Sequence, residues 1–256
     1  MPESLPVLMY HGLHAGKAMR GRYDPVYSVD PSSFARQLDW MANRDYRSIG
    51  LAGLDAGEWP ARSILISFDD GDASNLEMAV PMLRERGFTA VFFITSAFLG
   101  QPGMLRPDEV PALLAAGMEV GSHGASHRYL ADLDAASLAA ELADSRARLE
   151  SLTGTAVAAL ALPGGRGGMR EREAALAHGY RWLFGSVPGP NRSTQPGRWL
   201  QRLAIRRNLD LMDFAALVEW RGPLPRLAAA RHRLLGLGKR LLGNARYERL
   251  RTHLAR

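Results

Sequence analysis

With 256 residues, 46% of them hydrophobic and 23% charged, the chain can bury one large or two small packed domains, and disorder is excluded for most of its length. It contains no cysteine, which rules out disulfides and thiolate metal sites, so a metal would have to be held by histidine and carboxylate. The formal charge of +6 sits at the C-terminal end: residues 221–256 carry ten Lys/Arg against the single acid Glu248, and the body before them is close to neutral.

In chain order, short apolar runs alternate with amphipathic stretches. Val7–Tyr10 reads as a buried strand ending in His11-Gly12, and residues 31–44, opened by Asp30-Pro31, as a helix. Residues 63–68 form the next expected strand and run straight into Asp69-Asp70-Gly71, ahead of a helix over 74–87. A strand over 89–95, a helix over 107–117 and a strand over 118–121 follow, the last leading into Ser122-His123-Gly-Ala-Ser-His127. Beyond it come a helix over 134–152, a strand over 157–162 and a helix over 169–179. Alternation of this kind predicts an α/β fold, a parallel sheet with helical cover. The repeat count suits a single (β/α) barrel over residues 1–220, with chemistry at the C-terminal ends of its strands.

Two strand ends carry candidate chemistry. Adjacent carboxylates are costly to bury unless a cation or proton neutralises them, and Gly71 permits the turn that presents both. The alternative for Asp69-Asp70 is a helix cap and a solvated loop acid. His123 and His127, spaced i and i+4, are expected on one face of a helical turn, where both imidazoles can reach one ion. A parallel sheet brings both strand ends to one rim, offering the two-histidine, one-carboxylate set of an open catalytic metal site. His14, in a glycine-bearing loop, is expected to be exposed.

Ser67-Phe68-Asp69-Asp70-Gly71 together with Ser122-His123-Gly124-Ala125-Ser126-His127 resembles the first two motifs of the polysaccharide deacetylase family, the NodB-homology carbohydrate esterases. The resemblance spans about residues 5–210. It implies a distorted (β/α)7-type barrel and metal-dependent removal of N-acetyl groups from amino sugars of a polysaccharide or glycolipid. By position, Asp69 becomes the general base, while Asp70, His123 and His127 hold a divalent ion. Zn²⁺ suits that donor set, with Co²⁺, Ni²⁺ and Fe²⁺ as alternatives. In the implied reaction metal-activated water attacks the amide, the aspartate takes its proton and a histidine protonates the leaving amine.

Two departures stand out. The family's third motif, Arg-x-Pro-aromatic, reads Ala161-Leu162-Pro163-Gly164 here. The Gly164 backbone N–H, beside Pro163, still suits an oxyanion donor, but the arginine that would steady Asp69 is missing and Arg202 is the candidate replacement. The family's late Leu-x-His acid is also absent. His11 resembles the acid of the circularly permuted branch that includes poly-N-acetylglucosamine deacetylases, in which the last strand has moved to the N-terminus. First and last strands are neighbours in a closed barrel, so His11 is the expected general acid.

The leucine- and arginine-rich tail, residues 221–256, reads as helical, with residues 222–256 lying on an anionic membrane surface or packed on the barrel. No nucleic-acid motif accompanies its charge, so the expected partner is an N-acetylated glycan or glycolipid. The N-terminus lacks a basic n-region and no stretch reaches the roughly 18–20 apolar residues of a membrane span, which predicts a cytoplasmic location, peripheral at the inner membrane. The same site would also suit another amide, as in a sugar deformylase or cyclic amide hydrolase. The altered third motif fits a non-catalytic glycan-binding descendant as well.

Overall fold

A computed structural model describes residues 4–16, 20–57 and 59–231. The chain runs β1 (Val7–Tyr10), α1 (Pro31–Ala42), β2 (Arg47–Ser48), α2 (Leu51–Asp55), β3 (Ser63–Asp70), α3 (Val80–Glu85), β4 (Val91–Ile94), α4 (Val110–Ala115) and β5 (Glu119–Ser122). It continues through α5 (Ala135–Thr153), β6 (Ala159–Ala161), α6 (Met169–Ala177), β7 (Trp182–Phe184), β8 (Trp199–Leu200), β9 (Leu203–Ala204) and α7 (Leu211–Val218). Aspartates start three of the helices: Asp30, Asp134 and Asp210 accept the N–H of Ser32, Ser137 and Asp213 at 2.9, 2.7 and 2.8 Å.

Every ladder between these strands is parallel, in the order β8-β7-β6-β5-β4-β3-β1-β9, with β2 on the start of β3. β8 lies on β7 and β9 lies on β1, yet only Gln201 and Arg202 separate them. One extended segment, residues 199–204, therefore joins both ends of the strand order and curls the sheet into a distorted (β/α)7-type barrel. Arg202 sits at the break where that segment changes neighbours.

Strand alternation sorts the core into two layers. Leu8, Tyr10, Ile66, Phe68, Phe92 and Ile94 pack with Phe34 and Leu38 of α1 and Leu83 of α3, outside the sheet. Val7, Leu65, Val91, Phe93, Ala161, Trp182 and Phe184 form the second cluster, inside it. Register aligns Tyr10 with Phe68 and Phe68 with Phe92, whose rings stack at 5.3 and 4.9 Å. Each such pair contributes about 0.5–1.5 kcal/mol beyond its buried area. That row locks the register of the residues that follow, His11 and Asp69, at the C-terminal rim.

Two expected helices open differently. The one expected over 74–87 begins with a π-helical turn, Asn75–Ala79, before α3, and the one over 107–117 begins with a 3₁₀ turn, Pro107–Glu109, before α4. Pro81 and Pro111 explain both, since a proline removes one i→i−4 bond and its ring crowds the carbonyl of the preceding turn. Residues 224–231 are helical; the tail from residue 232 onward lies outside the described residues. Among the described residues, no helix is long and apolar enough to cross a membrane.

Candidate metal centre

Asp69 shares the inward parity of Leu65 and Ser67 and is buried at the rim. At the next residue the chain turns, with φ of +76° at Asp70 and +87° at Gly71; the helical turn that follows has Ser74 at its N-cap, so neither carboxylate caps it. Asp70 Oδ1 lies 3.5 Å from His123 Nε2 and 3.2 Å from His127 Nε2. One ligand atom from each of these three residues falls within 4.8 Å of the other two.

The chemistry of the cluster fits a divalent ion. His123 Nδ1 donates to the Ala161 carbonyl at 2.9 Å, which leaves Nε2 as the lone-pair nitrogen facing Asp70. Burial lowers the His123 pKa against the pull of Asp69 and Asp70, favouring the neutral imidazole that a metal requires. Burial acts the same way on His127, but the contact with Asp70 prevails and raises it. For Asp70, burial pushes upward and is overcome by His127, His11 and His123, which hold its carboxyl well below the usual range. Among the described residues, Asp70 Oδ1 is nevertheless buried without a hydrogen-bond donor of acceptable geometry. An orphaned carboxylate oxygen facing two imidazole nitrogens would be satisfied by a first-row divalent ion such as Zn²⁺.

Asp69 stands beside this cluster, 3.9 Å from His123 Nε2, and is held by a different partner. Arg202 donates from Nη1 to its Oδ1 at 2.7 Å and from Nη2 to its Oδ2 at 2.8 Å. The guanidinium is fully buried, and its Nε donates to the Gly185 carbonyl at 2.7 Å. Burial alone would raise the Asp69 pKa; the guanidinium, followed by His123 and His11, keeps it below the ordinary carboxylate value. His11 follows β1, stacks on Tyr27 at a ring separation of 4.6 Å and has a buried Nδ1 without a partner among the described residues. Its carbonyl accepts from Asn75 Nδ2 at 2.7 Å. His11, Asp70 and His127 line one cavity of about 270 Å³.

The histidine pair does not ride on a helical turn as its spacing predicts. Residues 123–127 form a loop in which Gly124 and His127 take φ of +77° and +64°. Buried Glu141 of α5 supplies the missing partners, accepting the N–H of Ala125 at 2.8 Å and of Ser126 at 2.9 Å, and the Ser126 hydroxyl. Its only sequence signal is an acid on the apolar face of a helix. His14 is buried rather than exposed, with Nε2 3.4 Å from Asp72 Oδ2. Asp72 also accepts the Ser74 N–H at 2.9 Å, so this pair ties the loop after β1 to the turn after β3.

The third-motif departure also has a structural answer. Gly164, exposed after buried Pro163, has φ +60°, and a Cβ there would come within 2.3 Å of Tyr129 Cε1. The Tyr129 ring, with the Arg166 guanidinium 4.0 Å from its centroid, takes the space that a side chain at 164 would fill. Gly164→Ala is therefore expected to strain the turn by about 1–3 kcal/mol and displace the ring. Turnover should fall about tenfold or more, and Gly164→Ala/Tyr129→Ala should recover part of it by removing the clash; an unimpaired single variant would show that the turn tolerates a side chain.

Comparison with known proteins places the chain in a family and matches its fold. A profile of the family described as Polysaccharide deacetylase matches residues 56–183. YxkH of Bacillus subtilis (strain 168), named for the same family, is 25% identical over 223 residues, covering 85% of this chain and 77% of that protein. The poly-beta-1,6-N-acetyl-D-glucosamine N-deacetylase of Staphylococcus aureus is 33% identical over 79 residues, 29% of this chain and 27% of that one. The crystal structure of BC0361, a polysaccharide deacetylase from Bacillus cereus, shares the fold with a TM-score of 0.75 at 22% identity, over 84% of this chain and 69% of that one. The chain belongs to the polysaccharide deacetylase family.

Proposed function

We propose that this chain is a metal-dependent N-deacetylase acting on amino sugars of a polysaccharide or glycolipid. One observation carries the reading: a buried carboxylate locked to Arg202 stands at the same rim as the Asp70–His123–His127 cluster and His11. The printed activity of the Staphylococcus aureus relative supports an N-acetylated glycan as the substrate class.

Asp70, His123 and His127 would hold a divalent ion, which when bound would supply Lewis acidity to lower the pKa of water and polarise the amide carbonyl. Asp69, kept ionised by Arg202, takes the proton of the attacking water. The Gly164 N–H donates to the oxyanion that develops on the carbonyl oxygen. His11 then gives a proton to the nitrogen as the C–N bond breaks, releasing acetate and a free amine. An amine anion leaves poorly, so amide hydrolysis needs that proton. β1 lies between β9 and β3, which supports reading it as the permuted strand that carries the family's acid.

Acetate release from poly-N-acetylglucosamine oligosaccharides by zinc-loaded protein tests the reading. His11→Ala should lower kcat by about 10²–10⁴-fold with the metal content unchanged by elemental analysis. Wild-type turnover in that variant would remove His11 from the mechanism. Metal without acetate would point to a formyl or cyclic amide, and neither to a glycan-binding protein.

A further inference from the structure

Three arginines converge on the loop that follows β1, and two of them are consumed in holding it. Arg20 donates to both carboxylate oxygens of Glu109 at 2.8 Å and to Glu77 at 2.5 Å. Arg207 donates to the carbonyls of His14 at 3.1 Å and Ser28 at 3.0 Å. Arg22 differs. Its backbone N–H is pinned to Asp72 Oδ2 at 2.5 Å, but its guanidinium makes no hydrogen bond or ion pair with the described residues.

That guanidinium lies over the Phe98 ring at 5.3 Å, in the wall of the cavity that also holds His11, Asp70 and His127. Phe98 in turn stacks on His127 at 5.7 Å, so the cation stands one aromatic ring from the metal ligands. Two of the acids beside it are already engaged. Asp24 Oδ1 accepts the N–H of Val26 at 2.7 Å and of Tyr27 at 2.8 Å, and both oxygens of Asp72 accept backbone N–H groups. A guanidinium anchored at its backbone, stacked on a ring and left with spare donors is built to receive a carboxylate or phosphate through two parallel hydrogen bonds. A neutral sugar hydroxyl would use that fork poorly.

We propose that Arg22 selects glycans bearing an anionic group, a carboxylate or a phosphate, on the same sugar as the scissile acetamide or on its neighbour. The inference rests on the deacetylase reading and narrows its substrate class.

The test compares three probes with zinc-loaded wild type, Arg22→Ala and Arg22→Lys. Neutral chitotetraose is set against an N-acetylheparosan tetrasaccharide, whose glucuronates adjoin the acetamido sugars, and against N-acetylglucosamine 1-phosphate. Acetate release gives kcat/KM, and calorimetry gives binding. Wild type should favour at least one anionic probe over chitotetraose by about tenfold or more, and Arg22→Ala should shrink that ratio by about tenfold, as expected for one charge-assisted contact. Arg22→Lys should retain an intermediate ratio. The probe preferred identifies carboxylate or phosphate as the source of charge. Equal use of neutral and anionic probes by wild type, or an unchanged ratio in Arg22→Ala, overturns the proposal. If no probe releases acetate the deacetylase reading fails for these glycans, while the binding ratios still decide on Arg22.

Discussion

Asp69→Asn is expected to keep its metal and lose turnover, whereas Asp70→Asn is expected to lose both. The two residues are adjacent, but their surroundings divide the labour. Among the described residues Asp70 Oδ1 is buried without a hydrogen-bond donor and faces the two imidazole nitrogens, so on the proposed reading its removal takes away one of three metal ligands. Both Asp69 oxygens are occupied by Arg202, and the Asp69 carboxylate is only 3.9 Å from His123 Nε2. Asparagine keeps its volume and can still accept one arginine N–H, but it cannot take a proton from water. The expected loss in kcat is about 10²–10⁴-fold, the usual contribution of a general base. Elemental analysis separates the two variants before any kinetics. A metal-replete, fully active Asp69→Asn protein would overturn the base assignment, and a metal-replete Asp70→Asn protein would overturn the ligand assignment.

The strand ends that carry chemistry were the most legible part of the chain. Val7–Tyr10 has the boundaries its apolar run predicts, and the runs ending at Asp69-Asp70 and before His123 both lie in the sheet. They were readable because a strand buried on both faces is a continuous apolar block, and the turn residue Gly71 marks where it ends. The strands after residue 180 are not readable, whereas the helix expected in the tail is present over residues 224–231. β7 has three residues and β8 and β9 two each, too few to establish a period against the surrounding arginines. The segment that closes the barrel thus left no pattern, although the arginine at its break could be named.

The loop geometry was hidden for a different reason. Spacing of i and i+4 places two histidines together in a helix, but here the convergence comes from left-handed backbone at Gly124 and His127 and from Glu141, which lies far along the chain. The burial of His14 is hidden in the same way: its buried partner Asp72 is 58 residues away, and nothing local distinguishes it from a solvated loop histidine. Two further contacts at the site reach it from elsewhere in the fold. Arg202 reaches Asp69 from the seam of the barrel, and Tyr129 reaches Gly164 from the neighbouring loop. Only the fold brings such contacts together, because neither partner lies near in sequence to the residue it touches.

Arg202→Met is expected to be among the most destabilising single changes in the barrel, and the way its stability recovers will show what the arginine is for. Arg202 is fully buried, donates to Asp69 through both terminal nitrogens and bonds the Gly185 carbonyl, so methionine leaves a carboxylate buried without its counter-charge. Breaking a buried pair by removing one partner costs about 3–5 kcal/mol. For a domain of this size that corresponds to a fall in Tm of about 6–20 °C. Arg202→Lys should lose less stability, yet its compact ammonium cannot hold both oxygens of Asp69 at once, so kcat should fall while KM changes little. The double variant Asp69→Asn/Arg202→Met removes both charges and should regain much of the lost stability without regaining activity. If Arg202→Met folded as stably as wild type, the pair would be energetically idle. If Arg202→Lys kept full turnover, the two-point grip on Asp69 would have no catalytic role and the arginine would act only as a structural counter-ion at the seam where the barrel closes.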